Sequence, residues 1–239
     1  MYNDDMAVCH SLRCILPEER QQEELNMRTH KFDTRRMATL SMLCGILLVM
    51  GMTGIGFVPL PLIKATTMHI PVILGAILLG PKAGGILGGL FGFCSIWANT
   101  TAPGLMAFAF SPFMSNDGLI GAIKSLWIAL GCRILLGLVA GWLWKGLKML
   151  KVKDVAALPV TAVIATLFHT VSVMGSIYIL LAEQYAAAKN VAMSAVFGIV
   201  LGTITASGIP EAIVAAVLVT MIGRALLRLA VRMDRMKRR

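Results

Sequence analysis

Charged side chains are scarce in this chain of 239 residues, making up 14% of it against 57% apolar residues. A soluble domain of this length carries more charge, and several apolar runs here approach the roughly 20 residues that cross a bilayer. The chain also lacks a GxxxxGK[ST] loop, an HExxH motif and any paired-carboxylate motif. These absences exclude a P-loop ATPase and give no support for an enzyme. The composition predicts an all-α integral membrane protein that crosses the cell membrane several times.

Cysteine is present but forms no framework. Cys9, His10 and Cys14 share one polar stretch, which is one ligand short of a zinc site. The other three cysteines lie in apolar runs, where a thiol behaves as a small hydrophobe. The net charge of +10 is clustered at the ends of apolar runs, which is typical of membrane topology signals rather than of nucleic-acid binding. Neither a metal, a disulfide nor a nucleic-acid partner is predicted.

Three regions follow from the distribution of polar residues. Residues 1–36 are polar and lack the apolar core and small residues of a signal peptide, so they are expected to form a cytoplasmic extension. Residues 37–223 form the membrane domain. Residues 224–239 form a basic cytoplasmic tail.

The apolar runs predict six transmembrane helices, about Ala38–Val58, Thr66–Leu79, Ala83–Ala98, Leu119–Trp144, Ala157–Leu181 and Val191–Ile222. The second and third are separated only by Gly80-Pro81-Lys82. Together they are too long for one crossing, while Gly-Pro stops a helix and Lys82 is unfavourable in mid-bilayer. Two short helices with this turn at a water interface accommodate every residue.

Basic residues set the orientation of these helices. Six spans with a cytoplasmic N-terminus leave only Lys64, Lys124 and Lys189 outside, whereas Lys82, the lysines from Lys145 to Lys153 and the basic tail lie inside. This asymmetry follows the positive-inside rule, so both termini are expected in the cytoplasm. The longest outer loop, NTTAPGLMAFAFSPFMSND from Asn99, is apolar, so it either covers a cavity or lies at the membrane interface.

Three ionisable residues lie deep in the later spans: Arg133, His169 and Glu211. Each is twelve residues from the cytoplasmic end of its span, or roughly 18 Å at the helical rise. Since unpaired charges are expensive at this depth, all three are expected to face the interior of the protein. They form either a ligand site or internal contacts, namely an Arg133–Glu211 ion pair and a hydrogen-bonded packing histidine.

Further polar residues lie nearer the outer surface, and we expect Asn99, Thr67 and His69 to wall a pocket above the deep trio. The alternative is local, with Thr67 and His69 capping the second helix and Asn99 ending the third. Ser207 together with His169 also imitates the dyad of an intramembrane serine hydrolase, but no oxyanion hole is marked.

Small side chains line one face of the first span at Ala38, Ser41 and Gly45. Such faces allow helices to approach closely in lipid. The partner helix belongs either to the same bundle or to another subunit.

These residues carry a family resemblance. PLPLIKATTMHIPVILGAILLGPKAGGILGGLFG resembles the second and third helices of the substrate-binding S components of energy-coupling factor (ECF) vitamin transporters. RILLGLVAGWLWK, FHTVSVMGSIYIL and GIPEAIVAA resemble the fourth, fifth and sixth helices, in that order, and the pantothenate-type branch is the most similar. The similarity covers about residues 35–224. The chain departs from the family at Ser41 and Gly45, where two alanines are usual, at Cys132 in place of a proline, and at His169, where the pantothenate branch often has asparagine.

The resemblance implies a vitamin-capture subunit that works with a membrane T component and two cytoplasmic ATPase subunits. It implies that ATP is used by those ATPases and that no cofactor is bound here. It also implies that Asn99, Arg133, His169 and Glu211 lie in the substrate-binding helices and that the face with Ser41 and Gly45 docks the T component. Pantothenate is the favoured substrate, with a cobalamin-type or pyrimidine-precursor ligand as alternatives in the same class. A solitary proton-coupled carrier using His169 and Glu211 is the alternative from another class.

Overall fold

The computed structural model describes the backbone of residues 34–54, 56–59, 64–115 and 118–237, and the side chains of residues 36–54, 56, 66–115 and 118–229. Most of the predicted N-terminal extension therefore lies outside the described residues. Packing divides the chain into two units, residues 1–39 and 40–239. Of the first unit only the beginning of one helix is described, and the second unit contains all the elements that follow it.

The described chain is helical apart from one short ribbon. Its elements are α1 Thr34–Thr53, β1 Phe57–Pro59, β2 Lys64–Thr66, α2 His69–Leu79, α3 Pro81–Thr101, α4 Ala107–Phe110, a 3-10 turn Pro112–Met114, α5 Gly118–Leu126, a π-helical turn Trp127–Gly131, α6 Cys132–Met149, α7 Asp154–Lys189 and α8 Met193–Lys237. Within the described residues, four stretches are long and apolar enough to cross a membrane, namely Arg36–Thr53, Gly118–Met149, Asp154–Lys189 and Met193–Leu229. The predicted class of helical membrane protein is confirmed.

The first predicted span is wrong at its C-terminal end, because α1 ends at Thr53 and not at Val58. Gly54 adopts a left-handed conformation with φ of 73°, which glycine tolerates without strain. The chain then forms an antiparallel ribbon in which β1 pairs with β2. Thr66, predicted to begin the second helix, is the last residue of β2 instead.

The prediction of two helices around Gly80-Pro81-Lys82 is confirmed. Gly80 has φ of 94° and donates its N–H to Ala76 O at 3.0 Å, which ends α2. Pro81 begins α3, a position where its missing N–H costs no hydrogen bond. Lys82 is exposed.

The later helices extend beyond the predicted spans. Leu181, the predicted end of the fifth span, is a kink with φ of −135° and ψ of 27°, after which α7 continues to Lys189. Asn190 then turns the chain in a left-handed conformation. The backbone of α8 continues into the predicted tail as far as Lys237.

Glycines bring α3 and α6 into backbone contact. A Cβ atom on Gly84 would collide with Gly137 O, one on Gly88 would collide with Arg133 O, and one on Gly92 would lie 2.6 Å from Ala129 O. Such close approach is the usual role of small residues spaced four apart in membrane helices. It places Arg133 directly against α3.

Different helices and turns meet at the two ends of the second unit. At one end, a Cβ atom added to Gly80 would lie 3.9 Å from Lys145 Cε, so the turn after α2 lies beside the basic C-terminal part of α6, and Gly223 of α8 packs against Leu158 near the start of α7. At the other end, Phe108 of α4 packs in a second core cluster that includes residues of α7 and α8.

Candidate functional site

The π-helical turn before α6 holds the guanidinium of Arg133. Its Nη1 donates to the carbonyls of Ile128 and Ala129, at 3.0 and 2.9 Å. Its Nη2 donates to Ser95 Oγ of α3 at 2.9 Å. The guanidinium is therefore fixed from two helices. π-Helical turns are rare inside α-helices and are frequent at functional sites.

Two aromatic rings flank this guanidinium. Its Cζ atom lies 4.8 Å from the ring centroid of Phe91 and 5.2 Å from that of Phe110. A cation over an aromatic face is attracted by the ring quadrupole. Phe110 belongs to α4, whose residues Ala107 to Ala109 are buried. Phe110 therefore attaches the described part of the apolar loop to Arg133.

Arg133 is 4% exposed, and its Nε has no hydrogen-bond partner. Among the residues whose side chains are described, no carboxylate forms an ion pair with it. A buried charge without a counterion is unfavourable. The Nε–H and the adjoining Nη2 edge have the geometry that pairs with a carboxylate through two hydrogen bonds.

The alternative of an Arg133–Glu211 ion pair is wrong. Oε1 of Glu211 instead accepts a hydrogen bond from the backbone N–H of Thr66 at 3.1 Å. The Glu211 carboxylate on α8 therefore bonds to the last residue of β2 and is not a counterion of Arg133.

His169 of α7 lies next to the same aromatic ring as Arg133. Its ring centroid is 5.9 Å from that of Phe91, and the side chain is 6% exposed. Its Nδ1 has no partner among the described groups.

His69, the first residue of α2, is 2% exposed. The backbone of Thr66 lies nearby, but neither ring nitrogen of His69 reaches hydrogen-bonding geometry with a described group. The capping alternative does not hold, because Met68 occupies the cap position and no side chain caps the helix. The hydroxyl of Thr67 is directed to Gly56 O at 3.5 Å.

Asn99 is half-buried one turn along α3 from Ser95. Its Nδ2 donates to Ser95 O at 2.8 Å and to Ser95 Oγ at 3.4 Å. It does not end the helix, which continues to Thr101. Phe91, Ser95 and Asn99 lie four residues apart on one face, a spacing that is visible in the sequence but that a search for ionisable residues alone misses.

A hydrogen bond of 2.7 Å between Thr100 Oγ1 and Ser111 Oγ links the loop to α3. Ser111 follows α4 directly and is fully buried. The covering segment is thus attached to the helix that carries Ser95 and Asn99.

The predicted docking face on α1 is uncovered. Ala38, Ser41 and Gly45 are all exposed, and a Cβ atom added to Gly45 would meet nothing within 4 Å. Large apolar side chains on the same helix are exposed as well, including Met42 at 69%.

The hydrolase dyad is not formed. Ser207 Oγ is buried without a hydrogen-bond partner among the described residues, so it does not bond to His169. An unactivated serine hydroxyl is a weak nucleophile.

Two comparisons with known proteins bear on this site. The family described as ECF transporter, substrate-specific component, matches residues 35–223. The pantothenic acid transporter PanT of Lactococcus lactis subsp. cremoris (strain MG1363) is 31% identical over 169 residues, which cover 70% of this chain and 80% of that protein.

Proposed function

The chain belongs to the family of ECF transporter substrate-specific components, and we propose that its cargo is pantothenate, captured at the outer face of the cell membrane. Membership makes it a subunit for vitamin transport and not an enzyme. The observation that carries the choice of cargo is Arg133, a buried cation without a carboxylate partner in the described structure. Pantothenate has a single carboxylate that suits this cation, and the similar PanT is named for the same vitamin.

The remaining site residues have distinct proposed roles. Asn99 orients Ser95, and Ser95 in turn holds the guanidinium that receives the carboxylate. His169, whose Nδ1 is unpartnered in the described structure, and His69 face the neutral part of the vitamin. Thr67 and Glu211 act through the backbone, by fixing the segment between the ribbon and α2.

The proposed topology has six crossings with both termini in the cytoplasm. The turn after α2, with Lys82, lies beside the basic C-terminal part of α6, which supports it, since positive residues favour the cytoplasmic side. Under this topology the cover formed by α4 lies on the outer side. Residues 1–36 and 224–239 are then a cytoplasmic extension and tail.

Partners complete the proposed import cycle. A membrane T component docks on the α1 face of Ala38, Ser41 and Gly45, and two cytoplasmic ATPase subunits supply the energy. ATP is bound by those subunits, and this chain uses no cofactor of its own.

The test is isothermal titration of the purified chain with D-pantothenate and with D-pantothenol, in which a neutral alcohol replaces the carboxylate. We expect Arg133→Gln to weaken pantothenate binding by at least about 30-fold, because it removes one partner of a buried charge pair. Pantothenol should bind the wild-type protein weakly and lose little from the substitution. Lys153→Gln, which removes an exposed cation next to α7, is the control and should bind as the wild type does.

Three results would contradict the proposal. Pantothenate binding that survives Arg133→Gln unchanged would remove the proposed carboxylate site. A wild-type chain that binds no pantothenate but binds cobalamin or orotate would replace the proposed cargo. Proton-driven uptake by liposomes that contain this chain alone would favour the solitary carrier instead.

A further inference from the structure

His69 lies at the candidate site, but its side chain makes no hydrogen bond in the described structure. Its imidazole is 2% exposed, and both ring nitrogens lack partners. Buried polar atoms in native proteins are nearly always satisfied, by protein, water or ligand. A buried imidazole with both nitrogens unpartnered in the described structure is suited to a ligand group that donates one hydrogen bond and accepts another.

The surroundings of His69 connect it to the anion site. A Cβ atom added to Gly51 would meet both Cys94 Cβ and Met68 Cε, so the residues that precede Ser95 and His69 lie side by side. Ser95 bonds to the Arg133 guanidinium, and His169 contacts the Phe91 ring that also packs against this guanidinium. A ligand whose carboxylate reaches Arg133 therefore extends along Phe91 towards the two histidines.

We propose that His69 is a specificity-determining residue, which recognises a neutral group of the ligand that both donates and accepts hydrogen bonds. This inference rests on the proposed function. A neutral imidazole has one donor and one acceptor nitrogen, and both a hydroxyl and an amide match that pair. A site that hydrogen-bonds such a group rejects the analogue that lacks it, because its own buried polar atoms are then left unpaired.

The position of His69 is held by backbone contacts on its N-terminal side. Thr66 N–H bonds to Glu211 Oε1, and Ile70 N–H bonds to Thr67 O at 3.1 Å. The imidazole is thus presented from the start of a helix that is anchored to α8, which limits its freedom to turn away from the ligand.

The experiment combines a change in the protein with changes in the ligand. Affinities of wild type and His69→Phe are measured for pantothenate, for the analogue in which hydrogen replaces both hydroxyls, and for the analogue in which an ester replaces the amide. We expect wild type to prefer pantothenate over at least one analogue by about 10- to 100-fold. In His69→Phe that preference should disappear, and the analogue for which it disappears identifies the group recognised.

Three outcomes distinguish the two proposals. If His69→Phe keeps both preferences in full, the role of His69 is overturned while the proposed cargo stands. If wild type does not bind pantothenate, the proposed cargo fails and the inference fails with it. Should His69→Phe not fold, nitrogen-15-labelled histidine in the wild type provides a second measurement. Pantothenate must then shift an imidazole resonance that is missing from His69→Gln, and an unshifted resonance would overturn the inference.

Discussion

The guanidinium of Arg133 and the ring of Phe91 form a cation–aromatic pair, with 4.8 Å between the Cζ atom and the ring centroid. Phe91 comes from α3 and Arg133 from α6, so the pair joins the two helices at the depth where the charge is buried. The same ring contacts His169 of α7. Phe91 therefore sets the spacing between the two ionisable side chains.

Phe91→Leu should weaken pantothenate binding about 5- to 30-fold, as expected from losing roughly 1–2 kcal/mol of cation–π attraction at a desolvated site. Titration calorimetry measures the affinity, and a thermal melt without ligand measures the effect on packing. The control is Phe93→Leu, since Phe93 is on the same helix but 59% exposed. An unchanged affinity with a lowered melting temperature would show that Phe91 serves packing alone.

Gly88 of α3 packs directly against the backbone of Arg133, because a Cβ atom there would collide with Arg133 O. Gly88→Ala should separate the helices, destabilise the protein by about 1–3 kcal/mol and reduce ligand affinity. The neighbouring Gly89→Ala is a matched control, since its Cβ would find Ile134 Cγ1 at an ordinary 3.7 Å. Melting temperature and pantothenate affinity are measured on both variants, and equal values for the two would contradict the proposed close packing.

The common depth of Arg133 and His169 and the break between α2 and α3 could both be predicted from the sequence. Counting residues from the span ends places Arg133 and His169 at one depth, and both do lie against Phe91. The break at Gly80-Pro81 is predictable because glycine and proline act through local backbone geometry. Such effects need no knowledge of distant parts of the chain.

Other features depend on long-range packing, which the sequence pattern does not reveal. Counting residues along a helix gives the depth of a side chain but not the direction in which it points around the helix axis. The count therefore places Glu211 at the depth of Arg133, although the Glu211 side chain reaches Thr66. The ribbon of β1 and β2 depends on pairing between two three-residue strands, and the apolar pattern assigns part of it to helix. The π-helical turn that Arg133 stabilises gives no periodic signal in the sequence.

Glu211 should hold the ribbon through a hydrogen bond rather than act as a charge. Glu211→Gln keeps a side-chain oxygen that can accept from Thr66 N–H, whereas Glu211→Ala removes it. Hydrogen–deuterium exchange at Thr66 should therefore accelerate clearly in Glu211→Ala and change little in Glu211→Gln. Equal exchange in the two variants would mean that the hydrogen bond does not hold this segment.

Thr100 should control how long the ligand stays bound. Thr100→Val removes the hydroxyl that pairs with Ser111, so the cover formed by α4 should open more readily and ligand dissociation should become about 10-fold faster. Thr101→Val is the control, because the hydroxyl of Thr101 donates to Trp97 O of its own helix and is exposed. Stopped-flow displacement of bound pantothenate measures both rates. The same rate in both variants would exclude the Thr100–Ser111 bond from gating.

Gly45 should separate cargo capture from partner docking. Since a Cβ there would meet nothing within 4 Å, Gly45→Leu should leave the purified chain folded and its pantothenate affinity unchanged. The larger side chain should nevertheless block the close helix approach that the α1 face offers a T component, and so abolish co-purification with it and ATP-driven uptake. Gly198→Leu is the matched control, because Gly198 of α8 is also exposed and a Cβ atom added to it would meet nothing within 4 Å. Retained co-purification in Gly45→Leu together with lost co-purification in Gly198→Leu would move the docking surface from α1 to α8.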